Sequence, residues 1–209
     1  PAGLTADYQF QNTRNSSGGG PALTDIVTAP NGANSFVTEA VNGCTPRPVL
    51  IFSKGNGLTL VPTTGLTTDN KTYSIVMLFK FAEQGGYRAI VDFKNGLQLS
   101  RGVYANDLNN LQFVNSTSDA VGVGVGTGSP ITANKYVQVV LTRQGSDANA
   151  GRAGIETGYV DGELEYRLDH ANDDGVIHPQ FNMLRFFNNA GNTAQHYSAG
   201  SVARIRIFN

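Results

Sequence analysis

Apolar and polar residues alternate along most of this chain, and this period of two is the feature that most restricts its fold. In "YSIVMLFKF" (73–81) every odd-numbered residue is apolar. Successive side chains of a β-strand point to opposite faces, whereas a helix repeats every three to four residues. Because Val76 and Leu78 make the other face partly apolar as well, this segment predicts a central strand.

Similar short segments recur from one end of the chain to the other, and they predict about eleven strands with no long helix. They include "TADYQFQN", "VLIF", "LTLV", "YRAIVDF", "NLQFVNS", "YVQVVLTRQG", "GIETGYV", "ELEYRLD", "NMLRFF" and "SVARIRIF". The 25 glycines supply the turns between them. We therefore expect a single all-β domain over residues 1–209, folded as a sandwich or a barrel.

The connecting segments carry three further expectations. Residues 11–47 are rich in Gly, Asn, Pro and Ser, and they predict a surface meander with one short strand near "LTDIV". The "VGVGVGTGSP" segment (121–130) lacks the Lys-Ser/Thr ending of a phosphate-binding loop, which argues against a nucleotide site. Its alternation of Gly and Val suits an edge strand or a site where the backbone passes close to a neighbour. Asn95-Gly96 predicts a tight turn between two strands.

Charge and cysteine content exclude several classes of function. The chain has a net charge of −1 and only 15% charged residues, which argues against nucleic acid, and neither a membrane nor a polyanion is indicated as a partner. No apolar stretch approaches the length of a membrane-spanning helix. The single cysteine, Cys44, rules out an internal disulfide and lies in no catalytic motif.

An acidic stretch, "GYVDGELEYRLDHANDDG" (158–175), could hold a catalytic pair, a calcium ion or only the solvated side of a hairpin. Asp161-Gly162 is the preferred dipeptide of a type I′ turn, which predicts a two-residue hairpin loop. The register that follows places these pairs opposite each other: Val160 and Glu163, Tyr159 and Leu164, Ile155 and Leu168, Glu156 and Arg167.

This register puts the acidic residues on one water-facing side of the hairpin: Glu156, Glu163, Glu165 and Asp169, with Arg167. The alternative is a glycosidase pair, which needs two carboxylates opposed across a sugar. Glu163 and Glu165 share a face in this register, so catalysis stays open. The solvated hairpin is the preferred interpretation.

The strand segments resemble, in order, those of bacterial laminin-G-like domains in the concanavalin A-like lectin/glucanase superfamily. The resemblance covers nearly the whole chain except residues 11–47, and it depends on "ADYQF", "YSIVMLFKF", "YVQVVLTRQG", "GYVDGELEYRL", "NMLRFFNN" and "SAGSVARIRIFN". It implies a concanavalin A-like jelly-roll sandwich of two antiparallel sheets.

The resemblance also implies a function. Enzymes of that superfamily carry a Glu-x-Asp-x-(x)-Glu strand, which this chain lacks, and the chain contains no Trp to stack on a sugar. We therefore expect a non-catalytic extracellular recognition module, in a secreted or cell-surface protein, that binds a glycan or another surface polymer. The alternatives are a glycoside hydrolase or lyase using Glu163 and Glu165, and a structural or protein-binding adhesin domain.

No cofactor is required by this interpretation, although calcium remains an alternative. In the related domains the loop before the last strand resembles Phe-Phe-x-Asp-Asp with a later Glu. Here it reads "FFNNAGNTAQHYSAG", so Asn188 and Asn189 replace the acids, and Gln195 and His196 stand in the region of the Glu. The more acidic "DHANDDG" loop fails the EF-hand spacing.

A set of aromatic, amide and charged residues suits sugar hydroxyls and is the candidate binding site: Tyr87, Arg88, Asn188, Asn189, Gln195, His196 and Tyr197. Asp92 is a further candidate, because it lies within an otherwise apolar strand. The alternative for Asp92 is a pairing with Lys94 or with a neighbouring strand.

Overall fold

The computed structural model describes residues 3–93, 102–114, 123–124, 131–145, 154–169, 175–177, 180–189 and 196–209. These residues form fifteen strands and no α-helix, and all strand pairs are antiparallel. The predicted all-β fold of two antiparallel sheets is therefore confirmed. No helix in the described residues is long and apolar enough to span a membrane.

The larger sheet has nine strands in the order β10-β13-β12-β11-β6-β15-β4-β3, and β1 pairs with β15 beside this path. Its strands are β1 (Leu4–Tyr8), β3 (Ser35–Glu39), β4 (Arg47–Phe52), β6 (Tyr73–Phe81), β10 (Val123–Gly124), β11 (Val137–Gln144), β12 (Ile155–Val160), β13 (Glu163–Asp169) and β15 (Gly200–Phe208).

The smaller sheet has six strands in the order β2-β5-β14-β7-β8-β9. They are β2 (Leu23–Ile26), β5 (Gly57–Leu60), β7 (Arg88–Asp92), β8 (Gly102–Ala105), β9 (Leu111–Val114) and β14 (Leu184–Phe186). In the larger sheet, the last strand of the chain, β15, lies between β6 and β4.

The core lies between the two sheets and follows directly from the period-two pattern. β6 is central, as predicted: its odd-numbered residues are buried and its even-numbered residues are partly exposed. Phe52 and Phe187 stack with ring centroids 4.6 Å apart, and Phe79 lies 5.1 Å from the same Phe187 ring. Each fully buried Phe contributes about 1.5–3 kcal/mol, so these contacts hold the sheets together.

The segment 11–47 contains more structure than its composition predicts. The strand expected near "LTDIV" is present as β2, but a second strand, β3, pairs with β4 at the edge of the larger sheet. β4 and β5 lie in different sheets, so the chain crosses the sandwich between Phe52 and Gly57. Of residues 121–130 the structure describes 123–124, which form β10 at one end of the larger sheet, and among the described strands β10 pairs with β13 alone. These two residues agree with the edge-strand alternative.

The hairpin predicted at Asp161-Gly162 is present, with positive φ values of 50° and 93° at these two residues and two strands joined directly by them. Val160 pairs with Glu163 and Tyr159 with Leu164, as expected. The register then shifts by one residue between Gly158 and Tyr159, because Glu165 forms a bulge.

The bulge makes the rest of the predicted register wrong. Ile155 lies opposite Asp169 and Glu156 opposite Leu168, whereas Arg167 lies opposite Thr157. A one-residue slip moves each later side chain to the other face. The expected solvated acidic face is therefore incorrect: Glu156 and Glu165 are 0% and 1% exposed. The predicted Asn95-Gly96 turn lies outside the described residues.

Candidate functional site

A cluster of aromatic and amide side chains lies on the outer side of the smaller sheet. Val103 and Ala105 of β8 belong to the core, so Tyr104 between them points to the opposite face. The Tyr104 ring lies 6.4 Å from Tyr87 and 5.8 Å from His196, and the last two rings are 6.2 Å apart, all edge-to-face. With Asn189 and Tyr197 these three residues form the tyrosine–histidine cluster.

Asn189 lies at the centre of the tyrosine–histidine cluster and is 2% exposed. Its Nδ2 donates to the hydroxyl of Tyr104 at 3.2 Å and approaches His196 Nδ1 at 3.0 Å, while its backbone carbonyl accepts a 3.0 Å bond from the hydroxyl of Tyr197. Its Oδ1 is buried and has no hydrogen-bond donor among the described residues. A buried acceptor without a donor is rare in folded proteins, so this atom marks the centre of the cluster as unusual.

Arg88 fixes the cluster to the body of the domain. Its Nη1 donates to the carbonyl of Tyr197 at 2.9 Å, and its Nη2 lies 3.3 Å from the Glu83 carboxylate. Glu83 also pairs with Lys54 at 2.9 Å. Arg88 begins β7 and follows Tyr87 directly, so these contacts hold the Tyr87 ring beside His196.

Burial, and to a smaller degree the nearby Arg88, lowers the pKa of His196 below its ordinary value of 6.5. The imidazole is therefore neutral at neutral pH, and its Nδ1 can accept the bond from Asn189 while Nε2 carries the proton. A neutral His, an amide and three phenols together offer donors and acceptors without net charge.

Of the eight residues predicted as a site, the structure brings five together: Tyr87, Arg88, Asn189, His196 and Tyr197. Asn188 is separate, because its Nδ2 donates to the carbonyl of Gly55 at 2.7 Å and its side chain packs against Gly57. Gln195 lies outside the described residues. Asp92 is 3% exposed and lies opposite Arg185 of β14, and the expected partner Lys94 lies outside the described residues.

Glu163 and Glu165 do not form a pair on one surface. The bulge leaves Glu163 exposed and buries Glu165, whose pKa is raised by burial and lowered in part by the backbone of Leu111. Neither Glu165 oxygen makes a well-formed hydrogen bond within the described ranges. The expectation that both residues share one face is therefore wrong.

A groove of about 400 Å³ on the outer side of the larger sheet was not found from the sequence. Its charged residues are Glu39 of β3 and Lys80 of β6, 2.8 Å apart, and Ser201 and Tyr136 also donate to Glu39 at 3.1 and 2.8 Å. Burial raises the pKa of Glu39, but these three hydrogen bonds outweigh it and lower the pKa below its ordinary value.

This groove has polar chemistry but offers no exposed aromatic ring, since Tyr136 is 3% exposed beneath Lys80. Its two charged groups already compensate each other.

Lys80 could have been suspected from the sequence as the single charged residue of β6, whereas Glu39 lies in a segment that was expected to be a loop. Tyr104 was missed because it lies in an apolar strand.

No group of three or more His, Cys, Asp or Glu side chains that could hold a metal ion occurs in the part of the chain that the structure describes. Asp173 and Asp174 of the acidic "DHANDDG" loop lie outside that part.

The fold and the cluster define a two-sheet antiparallel β-sandwich with a neutral aromatic–amide surface. No protein-family model matches the chain, and no curated protein matches it. Several solved structures share the fold. Domain 4 of AbnA, a GH43 extracellular arabinanase from Geobacillus stearothermophilus solved with arabinotriose, matches with a TM-score of 0.69 and 14% identity over 100% of this chain and 93% of that one.

Two further structures show the same architecture at lower similarity. The binding domain of botulinum neurotoxin serotype D/C matches with a TM-score of 0.61 and 12% identity, over 99% of this chain and 48% of that one. The alginate lyase vAL-1 from a Chlorella virus matches with a TM-score of 0.55 and 10% identity, over 92% and 94% of the two chains. At such identities the likeness establishes the fold alone, which hosts binding domains and enzymes.

Proposed function

We propose that this chain is a non-catalytic recognition module that binds a carbohydrate through the tyrosine–histidine cluster. The observation that carries the proposal is Asn189, a buried amide whose Oδ1 has no donor in the described ranges, beside the half-buried rings of Tyr87 and His196. Leaving a buried acceptor unpaired costs about 1–3 kcal/mol, which a sugar hydroxyl would recover by donating to it.

The surrounding groups suit the rest of a sugar ring. The Tyr87 ring presents an apolar face for the C–H groups of a sugar. Aromatic surface with a few convergent polar groups is the usual composition of a small-molecule site. The burial of Glu165 and the exposure of Glu163 give the hydrolase alternative no pair of opposed carboxylates.

The finer parts of the assignment belong to the same proposal. We place the chain among laminin-G-like domains of the concanavalin A-like superfamily, as one domain in a secreted or cell-surface protein. Binding requires no cofactor in this proposal. AbnA domain 4, which has the same fold and was solved with arabinotriose, supports a sugar as the ligand class.

The experiment is binding to a polysaccharide panel that includes arabinan, measured by affinity electrophoresis and calorimetry. We expect Tyr87→Ala to weaken binding about tenfold, because it removes the stacking ring. The control is Tyr159→Ala, which removes a half-buried tyrosine from the larger sheet.

Equal effects of the two tyrosine variants would overturn the assignment of the site. A wild-type chain that binds no polysaccharide but captures a protein from cell-surface extracts would favour the adhesin alternative. If the wild-type chain releases reducing sugar from a polysaccharide and Glu163→Gln does not, the glycoside hydrolase alternative would be correct. A rise in the melting midpoint on addition of calcium, reversed by a chelator, would show that the folded domain binds calcium.

A further inference from the structure

A second groove on the outer side of the larger sheet carries three arginines. It has a volume of about 150 Å³ and is lined by Arg47, Val76, Leu78, Gln138, Arg204 and Arg206. These residues come from four different strands, β4, β6, β11 and β15, and only the folded sheet brings them together. We call this feature the arginine groove.

Among the described residues, Asp7 supplies the carboxylate that pairs directly with arginines of the groove. Asp7 accepts two bonds from Arg204, from Nε at 2.8 Å and from Nη2 at 2.7 Å, and lies 3.6 Å from Arg206 Nε. The Asp7 side chain is 6% exposed, whereas those of Arg204 and Arg206 are 30% and 34% exposed. The two arginine side chains are therefore partly exposed and the carboxylate is buried, while the buried Nε of Arg206 has no acceptor within hydrogen-bond distance among the described residues.

Arg47 adds a third positive charge. Its Nη2 donates to the carbonyl of Ala203 at 2.7 Å, and its Nε is buried with no acceptor among the described residues. Glu39 lies opposite Arg47 in the β3–β4 pair, but its carboxylate accepts from Lys80 at 2.8 Å. Three arginines against Asp7 leave two positive charges in excess, in a chain whose net charge is −1.

We propose that the arginine groove binds an oxyanion, the carboxylate or sulfate group of an acidic polysaccharide. A guanidinium group presents a planar fork of donors that matches both anions, and Gln138 adds amide donors. Val76 and Leu78 offer apolar surface to the sugar carbon skeleton that carries the anion. A groove of this volume holds one charged substituent and part of its ring.

This site differs from the tyrosine–histidine cluster in position and chemistry. One lies on the larger sheet and is cationic, and the other lies on the smaller sheet and is neutral. The net charge of −1 gave no indication of a polyanionic partner. The arginine groove differs from that expectation, because it holds a local excess of positive charge that the total charge of the chain does not show. An electrostatic site of this kind weakens as salt screens it.

The test uses three soluble polymers as probes: dextran sulfate, polygalacturonate and neutral dextran. We expect the wild-type chain to bind at least one of the two acidic polymers and not dextran, and to bind more weakly as the salt concentration rises. Arg206→Gln, and separately Arg47→Gln, should weaken binding about tenfold by removing a charged fork. The control is Arg167→Gln, which removes the same charge from an exposed arginine of β13.

Each outcome decides the proposal. Equal losses in Arg206→Gln and Arg167→Gln would show a non-specific charge effect and overturn it, as would binding to neither acidic polymer. Equally tight binding of a single-stranded oligonucleotide would overturn the assignment to acidic polysaccharides, because it would show that the groove binds polyanions in general. Loss of salt-sensitive acidic-polymer binding in Arg206→Gln tests the arginine groove, whereas loss of neutral-polysaccharide binding in Tyr87→Ala tests the tyrosine–histidine cluster, so the two failures are distinguishable. If Arg47→Gln unfolds the domain, Arg206→Gln still provides the test.

Discussion

Arg204 and Asp7 join the last strand of the chain to the first by two parallel hydrogen bonds of 2.8 and 2.7 Å. The pair closes the β1–β15 edge of the larger sheet. Hydrogen bonding to Arg204 lowers the pKa of Asp7 from 3.8 to about 2, against the opposing effect of burial. The carboxylate is therefore charged in the folded protein over almost the whole pH range.

Replacing Asp7 by Asn should lower the free energy of unfolding by about 1–2 kcal/mol at neutral pH, because a depressed pKa is a stability contribution. That contribution is fully present above the unfolded value of 3.8 and is lost as the pH falls through about 2. Between these pH values, the free energy of unfolding measured by chemical denaturation should depend less on pH in Asp7→Asn than in the wild-type chain.

The matched control is Asp169→Asn, which breaks a pair with Arg167 in which both side chains are about half exposed. Such surface pairs contribute about 0–1 kcal/mol. A similar loss in both variants would mean that the Asp7–Arg204 bonds do not stabilise the edge of the sheet.

Glu165 is the second titratable group with a clear consequence. Burial raises its pKa above 4.5, so the folded state holds a proton more tightly than the unfolded state. Stability therefore falls as the pH rises from about 4.5 through the folded pKa. Glu165→Gln should raise the free energy of unfolding by about 1 kcal/mol near pH 7, because it removes a buried charge, and should have no such benefit near pH 4.

Glu163→Gln is the control for this change, since Glu163 is exposed on the same strand. We expect it to leave the melting midpoint almost unchanged at both pH values. A stabilisation by Glu165→Gln that persists unchanged at low pH would show that the carboxyl does not titrate as its burial requires.

His196 affects stability in the opposite direction to Glu165, because its contribution is lost as the pH falls. Its pKa is lowered from 6.5 by burial and by Arg88, so the folded state binds fewer protons than the unfolded state. Stability should be fully present above about pH 6.5 and should decline as the pH falls through the lower folded pKa. A titration of the His196 ring resonances by NMR should give a midpoint below that of a free imidazole.

His196→Gln should flatten this pH dependence, because an amide does not titrate in this range. A midpoint at or above the free value, or an unchanged profile in the variant, would contradict a neutral imidazole that accepts a bond from Asn189.

The sequence predicted what repeats and missed what depends on a single irregularity. Alternation over 73–81 was sufficient to identify β6 as a central strand, because its odd-numbered residues form part of the core. The hairpin turn was also recoverable from Asp161-Gly162. The bulge at Glu165 was not, since nothing in a period of two marks an extra residue, and it reversed the expected exposure of Glu156 and Glu165.

The candidate sites divide in the same way. Tyr87, Arg88, Asn189, His196 and Tyr197 were grouped by residue type and lie together, although their role in binding stays a prediction. Glu39, Lys80 and the three arginines of the arginine groove were not grouped, because strand order in the sheet, β6-β15-β4-β3, is unrelated to sequence order. Charge clusters assembled across strands can be recognised only when the pairing is known.

Gly158 gives the sharpest test of the packing beside the bulge. A Cβ at this position would lie 2.1 Å from Cε1 of the buried Tyr166 ring and 2.7 Å from Leu111. Tyr166 cannot move freely, because its hydroxyl donates to Glu156 at 2.7 Å. Gly158→Ala should therefore lower the free energy of unfolding by about 1–3 kcal/mol, the usual effect of overpacking a core. Gly32→Ala is the control, since a Cβ there meets nothing within 4 Å and its φ is not in the left-handed region. Equal melting midpoints for the two variants would mean that the Tyr166 ring does not pack against Gly158.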